Sequence, residues 1–231
     1  MTKFTGFSQT GINFLAELAQ NNNREWFTEH KDVYKSEIVT PALALITELG
    51  ERLKMISPGI NADKRTNGGG SLMRIYRDTR FSKNKTPYKT NLGIFFWEGS
   101  SKKMECPGFY FHIEPNDMWI GAGLYIFPKA VLAPYREAVD DEKKGMALQE
   151  IVTELQEKGY IVDSIDKYKR IPRDYPKDHP RADLLKYKGI FGRIESIPIE
   201  SITSADLIDV CYDHCVAVSP LHKWLVTNLP V

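Results

Sequence analysis

The residues with the clearest capacity for chemistry lie between positions 64 and 89, where cationic side chains are concentrated. This stretch of 26 residues holds eight Lys or Arg residues and one acid, Asp78, so it carries a net charge of +7. The cations are Lys64, Arg65, Arg74, Arg77, Arg80, Lys83, Lys85 and Lys89. An arginine guanidinium binds phosphate or carboxylate at two points through its planar fork. The stretch therefore predicts a site for an anionic small molecule that bears phosphate or carboxylate.

A second group of residues has the spacing needed for acid–base chemistry. His112 and Glu114 are two positions apart in a segment with strand-like alternation, so both side chains leave the same face. A carboxylate that orients an imidazole is the arrangement of a general base. His112, Glu114 and Asp78 are therefore the candidate catalytic residues, although no nucleophile is identified beside them. Two ligands do not complete a metal centre, and no metal site is predicted.

The three cysteines do not predict a disulfide framework, because they are few and odd in number. Cys211 and Cys215 fall on an apolar helical stripe, which indicates core packing. Zinc sites normally need a second pair of ligands, and none is present. Cys106 precedes a proline in a predicted turn and could present an exposed thiol, but no histidine adjacent in sequence would activate it.

The segment from Arg74 to Tyr88 has a distinctive pattern. It reads R-x-x-R-D-x-R-F followed by [DN]-K-x-x-Y, with Asn84 at the Asp-or-Asn position. In this the sequence resembles the family of the domain of unknown function 2461. The resemblance implies that the family's domain extends over the whole chain, and it implies no particular activity. It singles out as ligand-binding candidates Arg74, Arg77, Asp78, Arg80, Asn84, Lys85 and Tyr88.

Helices are predicted over residues 1–56, ahead of these candidates. Ser8 is a suitable N-cap, and a second helical run starts near Asn23. A third helix is predicted over 41–53, and Pro41 either starts it or kinks it. Residues 57–70 are rich in Gly, Asn and Pro and predict a loop.

Strands are predicted over residues 71–126, where apolar and polar residues alternate in four runs separated by turn-forming residues. The runs are 72–78, 91–97, 108–114 and 119–125. Short strands with short connections indicate an antiparallel meander.

Residues 128–231 predict a mixed region that ends in helices. A helix in two pieces extends from Pro128 to about 158. Short strands over 160–162 and 189–196 lie on either side of irregular chain, and a capped helix starts at Thr203.

Alternation along the predicted strands separates two faces. The apolar face consists of Met73, Ile75, Leu92, Ile94, Phe96, Phe109, Phe111, Ile113, Ile120, Ala122 and Leu124. The other face interleaves charges with aromatic rings and consists of Arg74, Tyr76, Asp78, Arg80, Asn91, Phe95, Trp97, Tyr110, His112, Glu114, Trp119 and Tyr125. A basic, aromatic-lined face suits an anionic ligand.

Two other functions remain open for this face. Phe95, Trp97, Trp119 and Tyr125 could stack the bases of a single-stranded nucleic acid. Alternatively, the protein is a non-enzymatic structural or interaction protein, with Arg77 and Asp78 as buried partners that hold the loop to the sheet. The pattern leaves open whether the protein is an enzyme, and which cofactor or oligomeric state it has.

Composition places these elements in one α+β domain over residues 1–231. The chain has 42% hydrophobic and 26% charged residues with a net charge of +1, which excludes a disordered chain and a globally basic protein. We expect an antiparallel sheet of four or more strands, with helices packed mainly on one face. The sequence predicts neither a secretion signal nor a membrane span, so a cytoplasmic location is expected.

Overall fold

The computed structural model describes residues 3–195 and 197–231, with helices towards both ends of the chain. The helices are α1 (Gln9–Gln20), α2 (Arg24–Glu29), α3 (Lys31–Val33), α4 (Thr40–Ile56), α5 (Lys129–Asp140), α6 (Glu142–Glu157), α7 (Ala182–Leu185), α8 (Ile199–Ile202) and α9 (Leu207–Asn228). A π-helical segment, Tyr34–Val39, joins α3 to α4, and a 3₁₀ turn covers Lys103–Glu105. None of the described helices is long and apolar enough to cross a membrane.

The strands form one six-stranded antiparallel sheet, which confirms the α+β fold class. They are β1 (Ile60–Asn61), β2 (Leu92–Glu98), β3 (Gly108–Ile113), β4 (Met118–Leu124), β5 (Ile161–Asp163) and β6 (Ile190–Ile194). The order across the sheet is β1-β2-β3-β4-β6-β5, so β2, β3 and β4 form the predicted meander. The last two strands pair with Val162 opposite Gly192.

The predicted starts of the first helices are confirmed by their caps. The Ser8 hydroxyl accepts a hydrogen bond from the N–H of Gly11 over 3.0 Å at the start of α1. The Asn23 side chain accepts from the N–H of Trp26 over 2.9 Å at the start of α2. The predicted start at Pro41 is not a free helix start, because the π-helical segment Tyr34–Val39 leads directly into α4 and Val39 before it has helical backbone angles.

The first predicted strand, over 72–78, is wrong. Only isolated bridges occur there, between Leu72 and Ile94 and between Tyr76 and Tyr88. Leu72 and Ile75 are both buried although they are three positions apart, so the period of two breaks in this run. The edge of the sheet is formed by β1, which lies inside the segment 57–70 that we predicted to be a loop.

Burial confirms the predicted apolar face along β2, β3 and β4. Ile94, Phe96, Phe109 and Phe111 are fully buried, and Phe96 packs edge-on against Phe111 at 5.6 Å between ring centroids. The opposite face departs from prediction at Phe95, whose side chain is 7% exposed.

Contacts divide the chain into two compact units. The first comprises the described residues within Met1–Phe96, Tyr110–Ile120 and Glu195–Asp213. The second comprises Trp97–Phe109, Gly121–Ile194 and His214–Val231. The assignment of all 231 residues to one domain stays a prediction.

The cysteines are buried thiols. Cys211 and Cys215 have no exposed surface, which confirms that they pack in the core. Burial raises the pKa of the Cys211 thiol far above its ordinary value. Cys106 is also buried, at 1% exposure, so the expectation of an exposed thiol is wrong. Its Sγ donates to the Ser101 carbonyl over 3.5 Å.

The second unit buries a histidine beside a carboxylate. Nε2 of His222 lies 2.8 Å from Oε2 of Glu98, and the ring packs against Phe109 at 4.7 Å. The His222 side chain is fully buried, and its Nδ1 has no hydrogen-bond partner among the described residues. An Nδ1 proton would be an unpaired buried donor, so the neutral ring with its proton on Nε2 is favoured.

Candidate functional site

The family-like segment folds into a loop that is closed at its base by backbone hydrogen bonds. We define the signature loop as residues 74–89. The N–H of Arg77 donates to the Pro87 carbonyl over 2.9 Å, and the N–H of Lys89 donates to the Ile75 carbonyl over 2.7 Å. These bonds bring the two ends of the loop together in the first unit.

The tip of the loop carries an exposed ion pair. Nε and Nη2 of Arg80 donate to the two carboxylate oxygens of Asp78 over 3.0 and 2.7 Å. Hydrogen bonds from Arg80 lower the pKa of Asp78 to about 2. The expected buried pair between Arg77 and Asp78 is therefore wrong, because Asp78 is exposed and binds Arg80. Phe81 beside them is 94% exposed.

Three further residues of the family pattern form hydrogen bonds with other residues of the signature loop. Nη1 of Arg77 donates to the Thr86 hydroxyl over 2.5 Å, and that hydroxyl donates to Oδ1 of Asn84 over 2.8 Å. Nζ of Lys85 donates to the Thr79 carbonyl over 2.8 Å. These contacts fix the shape of the loop, since each joins residues six or more positions apart or closes a turn.

Tyr88 anchors the loop to the N-terminal helices. The side-chain amide of Asn22 donates to the Tyr88 carbonyl and accepts from its N–H, both over 3.0 Å. The Tyr88 ring stacks on Phe27 of α2, with 4.1 Å between centroids. Burial raises the pKa of the Tyr88 hydroxyl, which keeps it neutral at ordinary pH.

Arg74 and Lys89 form the part of the loop that suits an anion. Burial, and then the positive charge of Arg74, lower the pKa of Lys89. The positive charge of Arg74 helps to lower the pKa of Asp78, but among the described residues neither Arg74 nor Lys89 forms an ion pair within 4 Å or a side-chain hydrogen bond. The Arg74 side chain lies against Gly68, where a Cβ would approach its Cδ to 2.7 Å. The glycine-rich turn therefore makes room for this arginine.

A hydrogen-bonded chain joins the side chains of Tyr110 and His112, which lie in β3, to that of Glu114, the residue after the strand. The Tyr110 hydroxyl lies 3.2 Å from Nδ1 of His112, and Nε2 of His112 lies 2.9 Å from Oε1 of Glu114. Nδ2 of Asn91 makes a longer contact of 3.4 Å with the same Nδ1. Because an amide nitrogen only donates, Nδ1 is an acceptor and the ring proton is on Nε2. Tyr110 therefore donates to His112, and His112 donates to Glu114.

The ring of His112 is held in place by packing as well as by hydrogen bonds. Trp119 stacks on it, with 5.0 Å between centroids and 14° between planes. Gly93 leaves room for Tyr110, since a Cβ there would lie 2.8 Å from the phenol oxygen. The same Cβ position lies 3.2 Å from the side chain of Met73, so Met73 belongs to this face and not to the apolar face as predicted.

The candidate residues do not gather into a metal centre. Within the described ranges, no three His, Cys, Asp or Glu side chains come together as a metal ion would require. Asp78 binds Arg80 on the signature loop, whereas His112 and Glu114 bind each other on β3. The three catalytic candidates thus belong to two different hydrogen-bonded groups.

The buried side chain of Phe95 cannot stack on a nucleic-acid base. Trp119 uses one ring face against His112. Two of the four proposed stacking rings are therefore engaged inside the protein.

Sequence reasoning missed three residues of this region. Lys89 was counted among the cations but not among the ligand-binding candidates, because it follows the family pattern by one position. Alternation placed Tyr110 on the same face as His112, but Tyr110 was not named as a site residue, because nothing in the sequence showed its contact with that ring. Asn22 carries no local signal, because its partner is 66 positions away.

One known protein family matches most of the chain. The family described as "Conserved hypothetical protein (DUF2461)" matches residues 10–224, which include the signature loop and all of β3. No curated protein matches the chain. With a match over nearly its whole length, the chain belongs to the family of the domain of unknown function 2461.

Proposed function

We propose that the protein binds a small molecule that bears phosphate or carboxylate, and that Arg74 and Lys89 hold its anionic group. The supporting observation is the half-buried Lys89 beside Arg74, since among the described residues no carboxylate forms an ion pair within 4 Å with either cation. Lys89 and Arg74 repel each other, and the partial burial of Lys89 removes some of the water that would screen its charge, although Arg74 is exposed. A bound anion offsets both the repulsion between the two cations and the desolvation of Lys89. The arginine fork binds such an anion at two points.

The other family residues then have supporting roles. Arg77, Asn84 and Lys85 keep the loop in shape, and Tyr88 ties it to the helices. The pair of Arg80 and Asp78 lies at the tip, where a charged ligand reaches it from solvent. Binding thus depends directly on Arg74 and Lys89 and indirectly on the residues that position them.

The test is thermal unfolding of the full chain with inorganic phosphate, citrate, adenosine monophosphate, glucose 6-phosphate and a decathymidylate oligonucleotide. A probe at about 100 times its Kd stabilises by roughly 2.7 kcal/mol, which raises Tm by about 5–10 °C for a chain of this size. We expect at least one anionic small molecule to do this. Arg74→Gln and Lys89→Gln should each weaken binding at least tenfold.

Lys83→Gln is the matched control, because Lys83 is an exposed cation of the same loop and its loss changes the net charge equally. This variant should retain the parent's affinity. The proposal is wrong if no small anion raises Tm, or if Arg74→Gln binds as the parent does. A response to the oligonucleotide alone, falling steeply with salt, would replace it with nucleic-acid binding.

A second prediction needs no ligand. Lys89→Met should stabilise the free protein by about 0.5 kcal/mol, because it removes a half-buried charge that faces a like charge. Lys83→Met should change the free energy of unfolding by less than half as much. Because the pKa of Lys89 is lowered in the folded protein, the unfolded chain binds more protons at alkaline pH. The free energy of unfolding of the parent should therefore rise relative to that of Lys89→Met as pH rises towards 10.5. Urea unfolding at pH 7 and 9.5 measures both effects, and equal changes at positions 83 and 89 would contradict them.

A further inference from the structure

We propose that Tyr110 is a nucleophile activated by His112, and that Glu114 positions and stabilises the imidazole. The substrate class, a phosphate monoester held by Arg74 and Lys89, rests on the proposed function. We call Tyr110, His112 and Glu114 the relay. The relay rests on separate contacts along β3.

The geometry meets the requirements for an activated hydroxyl. A nucleophile must lie within about 2.6–3.2 Å of its base, and the base must be oriented by a third group. The Tyr110 oxygen is 3.2 Å from Nδ1 of His112, and the opposite nitrogen is 2.9 Å from the Glu114 carboxylate. The carboxylate stabilises the imidazolium that forms when His112 accepts a proton, as in Ser-His-Asp triads.

The relay and the cation pair are neighbours in the first unit. Asn91, which contacts His112, follows Lys89 by two positions, so their Cα atoms are at most about 7 Å apart. Met73, which precedes Arg74, lies beside Gly93 under the Tyr110 hydroxyl. The proposal requires the long Arg74 and Lys89 side chains to hold the phosphoryl group within reach of the phenol oxygen, and protection of Tyr110 by phosphate tests this.

The reaction balances without a further co-reactant except water. The Tyr110 oxygen forms a bond to phosphorus while its proton passes to Nδ1 of His112. On the side opposite Tyr110 the bond from phosphorus to the alcohol oxygen breaks, and that oxygen leaves with the electron pair and takes a proton from solvent, while Nδ1 of His112 gives its proton back to solvent. Water then attacks phosphorus and gives a proton to His112, which returns it to Tyr110 as the tyrosyl–phosphorus bond breaks. The net change converts the monoester and water into an alcohol and phosphate.

Benzenesulfonyl fluoride tests the relay without knowledge of the natural substrate. The Tyr110 oxygen would form a bond to sulfur, fluoride would leave, and His112 would accept the phenolic proton. Peptide mass spectrometry compares the labelling rate of Tyr110 with that of Tyr76, which is 55% exposed and serves as an unactivated reference. We expect Tyr110 to react at least tenfold faster.

Variants separate activation from accessibility. His112→Gln should slow Tyr110 labelling at least tenfold and leave Tyr76 unchanged. Glu114→Gln should slow it about threefold and alter its pH profile, which a merely structural role would not do. Gly93→Ala should displace the phenol oxygen and slow labelling with both relay partners still present. The Tyr76 rate and the circular dichroism spectrum report whether each variant is folded.

Two outcomes distinguish failure of the relay from failure of the proposed function. Suppose that phosphate raises Tm but that Tyr110 reacts no faster than Tyr76, or reacts as fast in His112→Gln and Gly93→Ala as in the parent. The relay is then wrong and anion binding stands. If Tyr110 is activated but phosphate neither raises Tm nor protects Tyr110, the relay stands and the phosphate monoester is wrong. Support for both requires that phosphate protects Tyr110 in the parent and not in Arg74→Gln.

Discussion

Gly123→Ala is expected to lower the free energy of unfolding by about 3 kcal/mol or more, because strain and a steric clash act together. Gly123 of β4 has φ +151°, a conformation that residues with a side chain rarely adopt. An added Cβ would lie 2.2 Å from the Ile190 carbonyl oxygen and 2.5 Å from Cα of Phe191, both on the backbone of β6. Backbone atoms in a paired strand cannot move aside cheaply. A loss of this size lowers Tm by roughly 6–12 °C for a chain of this length.

Gly192→Ala is the control for that variant. Gly192 lies in β6, and a Cβ there would make ordinary contacts at 3.5 Å with the side chains of Leu155 and Leu221. We expect this change to alter the free energy of unfolding by less than about 1 kcal/mol. Urea unfolding of both variants measures the difference. Similar losses at the two positions would show that the close approach at Gly123 is relieved by movement of the strands.

Acidification is expected to destabilise the protein through His222. Burial lowers the pKa of His222 below its ordinary value, against the opposing effect of Glu98. Between that lowered pKa and 6.5 the unfolded chain binds more protons than the folded one, so stability rises with pH in this window and is lost as pH falls through it. One proton gives a slope of at most about 1.4 kcal/mol per pH unit.

His222→Gln isolates this contribution. Glutamine retains an N–H that can donate to Glu98, and it does not titrate. We expect the difference in unfolding free energy between parent and variant to shrink as pH falls from 7 to 5, because only the parent pays for protonating this site. Urea unfolding at steps of 0.5 pH units measures it. Parallel curves for the two proteins would exclude His222 as the source of acid sensitivity.

Local signals predicted the framework well. Caps at Ser8 and Asn23 are set by hydrogen bonds within four residues, so the sequence contains them directly. The meander of β2, β3 and β4 was predicted from the alternation of residue types, although in the structure only β3 alternates in burial and β2 and β4 each have five consecutive buried residues. The run over 72–78 misled because its burial spacing changes from two to three where the chain leaves the sheet.

The site was predicted less completely because its contacts depend on tertiary closure. Residue types identified a cationic loop, yet they did not show that Asp78 pairs with Arg80 instead of Arg77. That choice is made when Arg77 turns towards Thr86 across the closed loop. Likewise, Lys89 becomes notable only once it is half-buried beside Arg74. The sequence shows that Lys89 carries a charge, but it does not show that folding removes water from that charge.

The amide of Asn22 imposes an order of events during synthesis. It binds the backbone of Tyr88 on both sides, as a neighbouring strand would, yet 66 residues separate the two. At about 5–20 residues per second, Asn22 waits roughly 3–13 s on the growing chain before its partner is made. The signature loop therefore acquires this anchor only when translation has passed residue 88, seconds after Asn22 has been made.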